Sequence, residues 1–338
     1  MEIVLQGAKG VQLFFLASAL TLFLSLDARK PHEKRPTTNF FIRRFFRVAP
    51  LFYLAIIVYS LHGGMGPRFW APDGIRWWYI PLTATFLHGW DAKTITSVVP
   101  GGWTIAVEMT FYLFVPYLFT RLTNIRTTLM ALLVSLVVAR LSSMIVLHHL
   151  GPKYPGSLYP LLEYFTYFWF PSQFPIFLMG ILLYHLVKRH PIQDRRISVT
   201  LLLASAGLFG WTLTVGLLPS LIPQLYSYGI ALLLFALSLH FFPHALLVNR
   251  ITTWIGKLSY SIYLIHFLVI SIMKSVVSDG FLPNGNIGFF MVFLIVVITS
   301  TAIAYLTYRI IEIPGINLGK KLIERLQARA CPAPTGNG

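Results

Sequence analysis

The stretch GFFMVFLIVVITSTAIAYLTYR, residues 288–309, runs from Gly288 to Tyr308 without a charged side chain. A helix rising 1.5 Å per residue needs about 20 apolar residues to cross the roughly 30 Å hydrocarbon core of a bilayer. An uninterrupted run of that length reads as a transmembrane helix. Eight more apolar segments lie at about 8–26, 48–63, 103–119, 128–148, 169–187, 198–217, 221–242 and 254–275. The sequence therefore predicts an all-α, polytopic transmembrane helical bundle of about nine spans. Residues 77–90 (WWYIPLTATFLHGW) are apolar too, but Pro81 interrupts them and they carry three tryptophans. That composition predicts an interfacial or re-entrant piece rather than another span.

Composition agrees with this reading. Of 338 residues, 56% are apolar and only 11% charged, and mean hydropathy is +0.70. Soluble domains carry about 25% charged residues, because a surface facing water needs them. The net charge of +16 does not imply nucleic acid, since the basic residues sit in short clusters between apolar runs. Alternate loops and the C-terminal segment hold 20 of the 27 lysines and arginines. By the positive-inside rule those loops are cytoplasmic, with the C-terminus inside and Met1 outside. Residues 1–319 read as one transmembrane domain and 320–338 as a cytoplasmic tail, partly disordered where it runs ARACPAPTGNG (328–338). Cys331 is the one cysteine, so no disulfide is expected. The first apolar stretch lacks the basic leader of a cleavable signal peptide. No set of histidines and acids has metal-ligand spacing, so no metal is expected.

Polar groups inside spans are costly, which marks them as functional candidates. Glu108 is the only acidic residue well inside a predicted span. Trp103 flanks it, and Tyr112, four residues on, shares its helical face. The structural alternative is a carboxylate paired with another helix, for example with Arg140. In SYSIYLIHF (259–267), Ser259, Tyr263 and His266 form a polar stripe at i, i+4 and i+7, with Tyr260 beside it. His266 reads equally as a buried structural group or as a base. Arg43, Arg44 and Arg47 open the second span on the cytoplasmic side. Such a cluster can anchor lipid headgroups, or it can grip phosphate through bidentate guanidinium contacts.

Five stretches, in order, resemble the acyltransferase-3 family of bacterial membrane proteins. GAKGVQLFFLASALTL (7–22) is similar to its Gly-Val-x-Leu-Phe-Phe-x-x-Ser-Gly segment. FFIRRFFRVAPLFYL (40–54) looks like its Arg-x-x-Arg motif, with Arg44 and Arg47 as the pair. GGWTIAVEMTFYLFVP (101–116) resembles its Trp-Ser-x-x-Val-Glu segment, and WIGKLSYSIYLIHFLV (254–269) its Gly-x-x-Ser-Tyr-x-x-Tyr-x-x-His stretch. YRIIEIPG (308–315) is similar to its closing Glu-x-Pro. Ala19 and Thr104 stand where the family has glycine and serine.

The resemblance implies transfer of an acyl group, commonly acetyl, from cytoplasmic acyl-CoA to a hydroxyl, usually of an exported or cell-surface glycan. It implies a place in the bacterial inner membrane, among lipid, with acyl-CoA as donor substrate rather than bound cofactor. Arg43, Arg44 and Arg47 are then donor-binding, and Glu108 and His266 catalytic. Trp103, Tyr112, Ser259, Tyr260 and Tyr263 line the site. The family's usual base is a histidine on a span preceding the first one here, so the chain is expected to start just before the family's second span, possessing the donor side but not that helix. The rival readings are a transporter of a glycan or lipid-linked precursor and a non-catalytic scaffold in polysaccharide assembly. No internal repeat favours a transporter.

Overall fold

The backbone of a lipid-facing segment has only itself to bond to, and the described residues of each of the nine apolar windows lie in helices or at their ends. A computed structural model describes residues 10–189, 194–214, 221–242, 245, 247–278 and 285–329. Residues 8–9, 215–217 and 330–338, parts of the first span, the sixth span and the tail, lie outside them. In chain order the helices are α1 (Gly10–Arg29), α2 (Pro36–Gly63), α3 (Tyr79–Ala84), α4 (Trp103–Arg121), α5 (Ile125–Leu150) and α6 (Tyr159–Phe168). They continue with α7 (Phe170–Arg189), α8 (Arg195–Thr214), α9 (Leu221–Phe241), α10 (Arg250–Ser278), α11 (Asn286–Thr307) and α12 (Ile313–Arg329). No strand forms among the described residues; Arg68 and Ala71 make an isolated bridge. Seven helical segments in that set are long and apolar enough to cross a membrane, and Leu225–Phe241 is a shorter apolar helix. Residues 77–90 fold as α3 and a short turn, Leu87–Trp90.

The chain divides into two units. The first holds residues up to His32, Phe86–Ile95 and Trp103–Val248. Its centre is α7, where Ile176–Met179 and Ile181 are at most 2% exposed. Gly180 brings α1 against α7, since a Cβ there would stand 2.3 Å from the Leu16 carbonyl oxygen. Lipid is as apolar as leucine, so helices associate through such close small-residue contacts rather than by hydrophobic exclusion. The rings of Phe15, Phe177 and Phe111 stack across that contact at 4.7 and 4.0 Å. Helix α5 turns the soluble pattern inside out. It buries Thr128, Ser135, Ala139 and Ser143 while Leu133, Val134, Val137 and Leu141 stay exposed.

The second unit holds Glu33–Thr85, Thr96–Gly102 and residues from Asn249. Here α10 pairs with α11, and α2 with α12. Hydropathy starts the second span at residue 48, but α2 begins at Pro36. Proline suits a first turn because its missing N–H would lack a partner there anyway. Arginines lower hydropathy without opposing helix formation, so the helix runs through FFIRRFFR. Arg68 closes the far end of α2, its fork donating to the carbonyls of Gly63 (2.9 Å), Gly64 (2.7 Å) and Ser97 (3.2 Å). Burial pushes that guanidinium below its ordinary pKa.

Inside α2, Pro50 offers no N–H to the Phe46 carbonyl four residues before it. Gly315 of α12 lies against that carbonyl, where a Cβ would be 2.8 Å from the oxygen and 2.9 Å from the Pro50 ring. One turn on, Gly319 lies against the Phe46 side chain, with 2.9 Å for the same addition. Gly-x-x-x-Gly spacing thus brings α12 onto α2 at Phe46 and Pro50.

Candidate functional site

Glu108, Trp103 and Tyr112 belong to the first unit, and Arg43, Arg44, Arg47, Ser259, Tyr260, Tyr263 and His266 to the second. In the first, Glu108 lies in the second turn of α4. Tyr112 Oη–H donates to Glu108 Oε1 at 2.6 Å, as the four-residue spacing predicts. Ser18 Oγ–H, from α1, donates to the same oxygen at 2.7 Å. Both donors converge on Oε1, and Oε2 has no hydrogen-bond donor among the described residues. Arg140 is exposed on α5. Two neutral hydroxyls, rather than that guanidinium, therefore hold the carboxylate. Trp103 is buried, its ring 4.4 Å from Phe168 and edge-on to Phe15 at 5.8 Å.

In the second unit, the polar stripe of α10 divides by task. Tyr263 Oη–H donates to the Gly101 carbonyl at 3.0 Å. The His266 ring lies 5.6 Å from that of Tyr263 and 3.9 Å from that of Phe267. His266 Nδ1 lies 3.2 Å from the Ile262 carbonyl. A carbonyl can only accept, so Nδ1 carries the hydrogen, and in the neutral form of the ring the lone pair is on Nε2. The group orienting this histidine is thus a main-chain carbonyl, not a carboxylate. Ser259 Oγ–H turns back to the Gly256 carbonyl at 2.9 Å, and Tyr260 Oη–H donates to the Val48 carbonyl at 2.7 Å.

Gly101 makes this arrangement possible. Its φ of +72° is a left-handed conformation that L side chains rarely adopt. A Cβ there would also come within 2.5 Å of the Phe267 ring and 2.7 Å of Tyr263 Oη. Thr96 Oγ1 accepts from the Gly101 N–H at 2.8 Å and holds the turn.

The three arginines differ. Arg43 makes a bidentate pair with Glu33 at 2.7 and 3.2 Å, and Asn39 Nδ2–H donates to the same carboxylate at 3.1 Å. Arg44 lies over the Phe40 ring, 5.8 Å from its centroid. The Arg47 guanidinium is half-buried and hydrogen-bonds to no described residue. All three lie within α2 rather than ahead of its helix, as the early start at Pro36 requires.

The structure adds a second enclosed acid. Hydropathy ends the last span at residue 309, but the helix continues through a π turn (Tyr308–Glu312) into α12. Glu108 is therefore not the only acid deep in a helical segment: Glu312 is 0% exposed and accepts from Ser261 Oγ–H. An acid framed by isoleucines in RIIEIP was the signal, hidden because the charges around it depress hydropathy. Ser18 gave a weaker signal, one hydroxyl in an apolar run. Among the described residues no three His, Cys, Asp or Glu side chains gather closely enough for a metal.

Comparison with known proteins bears on what these groups do. The family model for the acyltransferase-3 "Acyltransferase domain" matches residues 5–309. The chain belongs to this family. Family membership supports an acyltransferase activity in a multi-pass membrane protein. The chain is also 26% identical, over 265 residues, to a protein of Acidianus two-tailed virus named "Putative acetyltransferase ORF330". That alignment covers 78% of this chain and 73% of the viral protein. No solved structure matches the chain. Within the family match lie Ser18, Glu108, Tyr263 and His266, whereas Glu312 falls just beyond it.

Proposed function

We propose that this chain is a membrane-embedded O-acyltransferase of the bacterial inner membrane, with its C-terminus cytoplasmic. It takes an acyl group, acetyl in the first instance, from cytoplasmic acyl-CoA and transfers it to a hydroxyl of an exported or cell-surface glycan. The observation that carries this reading is the match to the acyltransferase family together with a carboxylate, Glu108, held by two hydroxyl donors inside an apolar unit.

The chemistry requires that the acceptor oxygen form a bond to the thioester carbonyl carbon while a base removes its proton. The carbon–sulfur bond then breaks, and coenzyme A leaves as a thiolate that takes up a proton. Glu108 through Oε2 and His266 through Nε2 are the groups at the candidate site that could accept this proton. The remaining need is stabilisation of the oxyanion by fixed donors. On the donor side, guanidinium groups match the geometry of coenzyme A phosphates. Arg43 is held by Glu33, which leaves Arg44 and Arg47 as the principal contacts.

The test is thiol release from acetyl-CoA by the purified chain in proteoliposomes, alone and joined to any sequence encoded upstream, with a polysaccharide acceptor present. Acceptor-dependent release that Glu108→Gln abolishes supports the proposal. Absence of release in both forms, with folding intact, overturns it in favour of a non-enzymatic scaffold or transporter.

A further inference from the structure

Arg140 stands in the middle of α5, and acyl transfer as outlined gives it no task. At 1.5 Å per residue it is about 22 Å from Ile125 and about 15 Å from Leu150. The apolar window 128–148 is centred two residues before it, so its backbone lies about 3 Å from the middle of the predicted span. The side chain is exposed and makes no hydrogen bond or ion pair with a described residue. It shares its helical face with Leu133, Val137 and Met144, all exposed and apolar. The buried stripe of α5 lies to the other side, where Ser143 stands 3.4 Å from Ser172 of α7.

Charged side chains at this depth face a bundle interior, a wet cavity or one another. A face of exposed apolar side chains offers none of these. Snorkelling relieves such a charge near a helix end, but Arg140 is rooted far from both ends. Its Cα–Cβ bond also tilts toward the helix N-terminus, away from the nearer end at Leu150. The guanidinium therefore calls for a counter-charge from outside the chain.

That counter-charge must itself lie at mid-depth. Lipid headgroups do not, since they begin about 15 Å from the middle of the hydrocarbon core. A carboxylate at that depth needs a carrier whose backbone bonds are satisfied internally, and an α-helix is such a carrier. A second copy of this chain supplies no suitable acid among the described residues. Glu108 is held by Ser18 and Tyr112, and Glu312 is enclosed with Ser261. Asp27, Glu163 and Glu324 lie within two turns of a helix end. Two α5 helices related by a twofold axis along the membrane normal would also set two Arg140 side chains at equal depth, where like charges repel. We propose that the exposed face of α5 docks a transmembrane helix of another membrane protein, one that carries an aspartate or glutamate at mid-depth. Its carboxylate accepts from the Arg140 fork in a charge-assisted, bidentate pair, and Leu133, Val137 and Met144 pack against the incoming helix.

The probe is a synthetic single-span peptide of about 23 leucine-rich residues with one central glutamate, beside a twin with glutamine in its place. The chain, labelled at Cys331, its one cysteine, is reconstituted in phosphatidylcholine vesicles, and energy transfer from labelled peptide is titrated. The glutamate peptide is expected to associate about tenfold more tightly than its twin, the scale of an interhelical hydrogen bond in a bilayer. Arg140→Leu removes that preference, while Arg140→Lys, which keeps the charge, retains part of it. Equal association of the two peptides, or a preference that persists in Arg140→Leu, overturns the proposal. Energy transfer between two labelled copies of the chain that Arg140→Leu abolishes also overturns it, because the face is then an interface between copies. The comparison of the twins on the wild-type chain needs no variant, so it decides the matter even where Arg140→Leu fails to fold.

Discussion

Replacing Gly101 by alanine introduces a single methyl group where the backbone and its neighbours both resist it. At φ +72° an L residue incurs about 1–2 kcal/mol. The new carbon would lie 2.5 Å from the Phe267 ring and 2.7 Å from Tyr263 Oη. Overpacking of this kind adds about 1–3 kcal/mol. The two terms predict a total loss of roughly 2–5 kcal/mol, measured by equilibrium unfolding in mixed micelles titrated with dodecyl sulfate. Gly256→Ala is the internal control, because that glycine lies in α10 where an added Cβ would meet nothing within 4 Å. It should be neutral or gain up to about 1 kcal/mol from helix propensity. A cycle with Phe267→Ala separates the terms: shortening the ring relieves the Phe267 share of the steric cost, leaving the Tyr263 contact and about 1–2 kcal/mol of backbone cost. If Gly101→Ala unfolds like wild type, or if the cycle is additive, the close approach of this turn to Tyr263 and Phe267 is refuted.

Other perturbations address the chemistry. Tyr112→Phe removes one of two hydrogen bonds to Glu108, each worth about 1.5–3 kcal/mol when the acceptor is charged, so turnover should fall by at least tenfold; unchanged turnover would detach the pair from catalysis. Glu108→Gln should abolish turnover while expression and thermal stability persist, and full activity would end its catalytic role. Arg44→Ala combined with Arg47→Ala should remove the thermal shift produced by coenzyme A, whereas an unchanged shift would leave both as lipid anchors. Gly180→Leu should block assembly of α1 on α7, seen as loss of the monodisperse folded species, since even a Cβ meets the Leu16 carbonyl at 2.3 Å.

The candidate site was partly legible in the residues themselves. The Glu108–Tyr112 bond follows from helical spacing, because residues four apart share a face in any α-helix. The lone pair on His266 Nε2 was not legible, because it depends on a bond back to the Ile262 carbonyl. Tyr260 and Tyr263 look alike in sequence, three positions apart. In the structure one bonds to α2 and the other to the Gly101 turn. Arg43, Arg44 and Arg47 likewise read as one cluster until their partners separate them.

The sequence alone determined that this is a bundle of membrane-crossing helices. That property is local: each lipid-facing segment must satisfy its own backbone, so length and apolarity suffice to reveal it. It also determined which few polar groups the bilayer would not tolerate without a reason. Helix extent was less legible, because hydropathy weighs charge, whereas the helix needs only bonded backbone. The tertiary structure alone decided that Ser18 reaches Glu108 across 90 positions, that Ser261 meets Glu312, and that glycines 180, 315 and 319 are contact surfaces. These depend on which helix faces which. In a membrane that choice rests on close small-residue packing and a few hydrogen bonds, neither of which leaves a periodic mark on the chain.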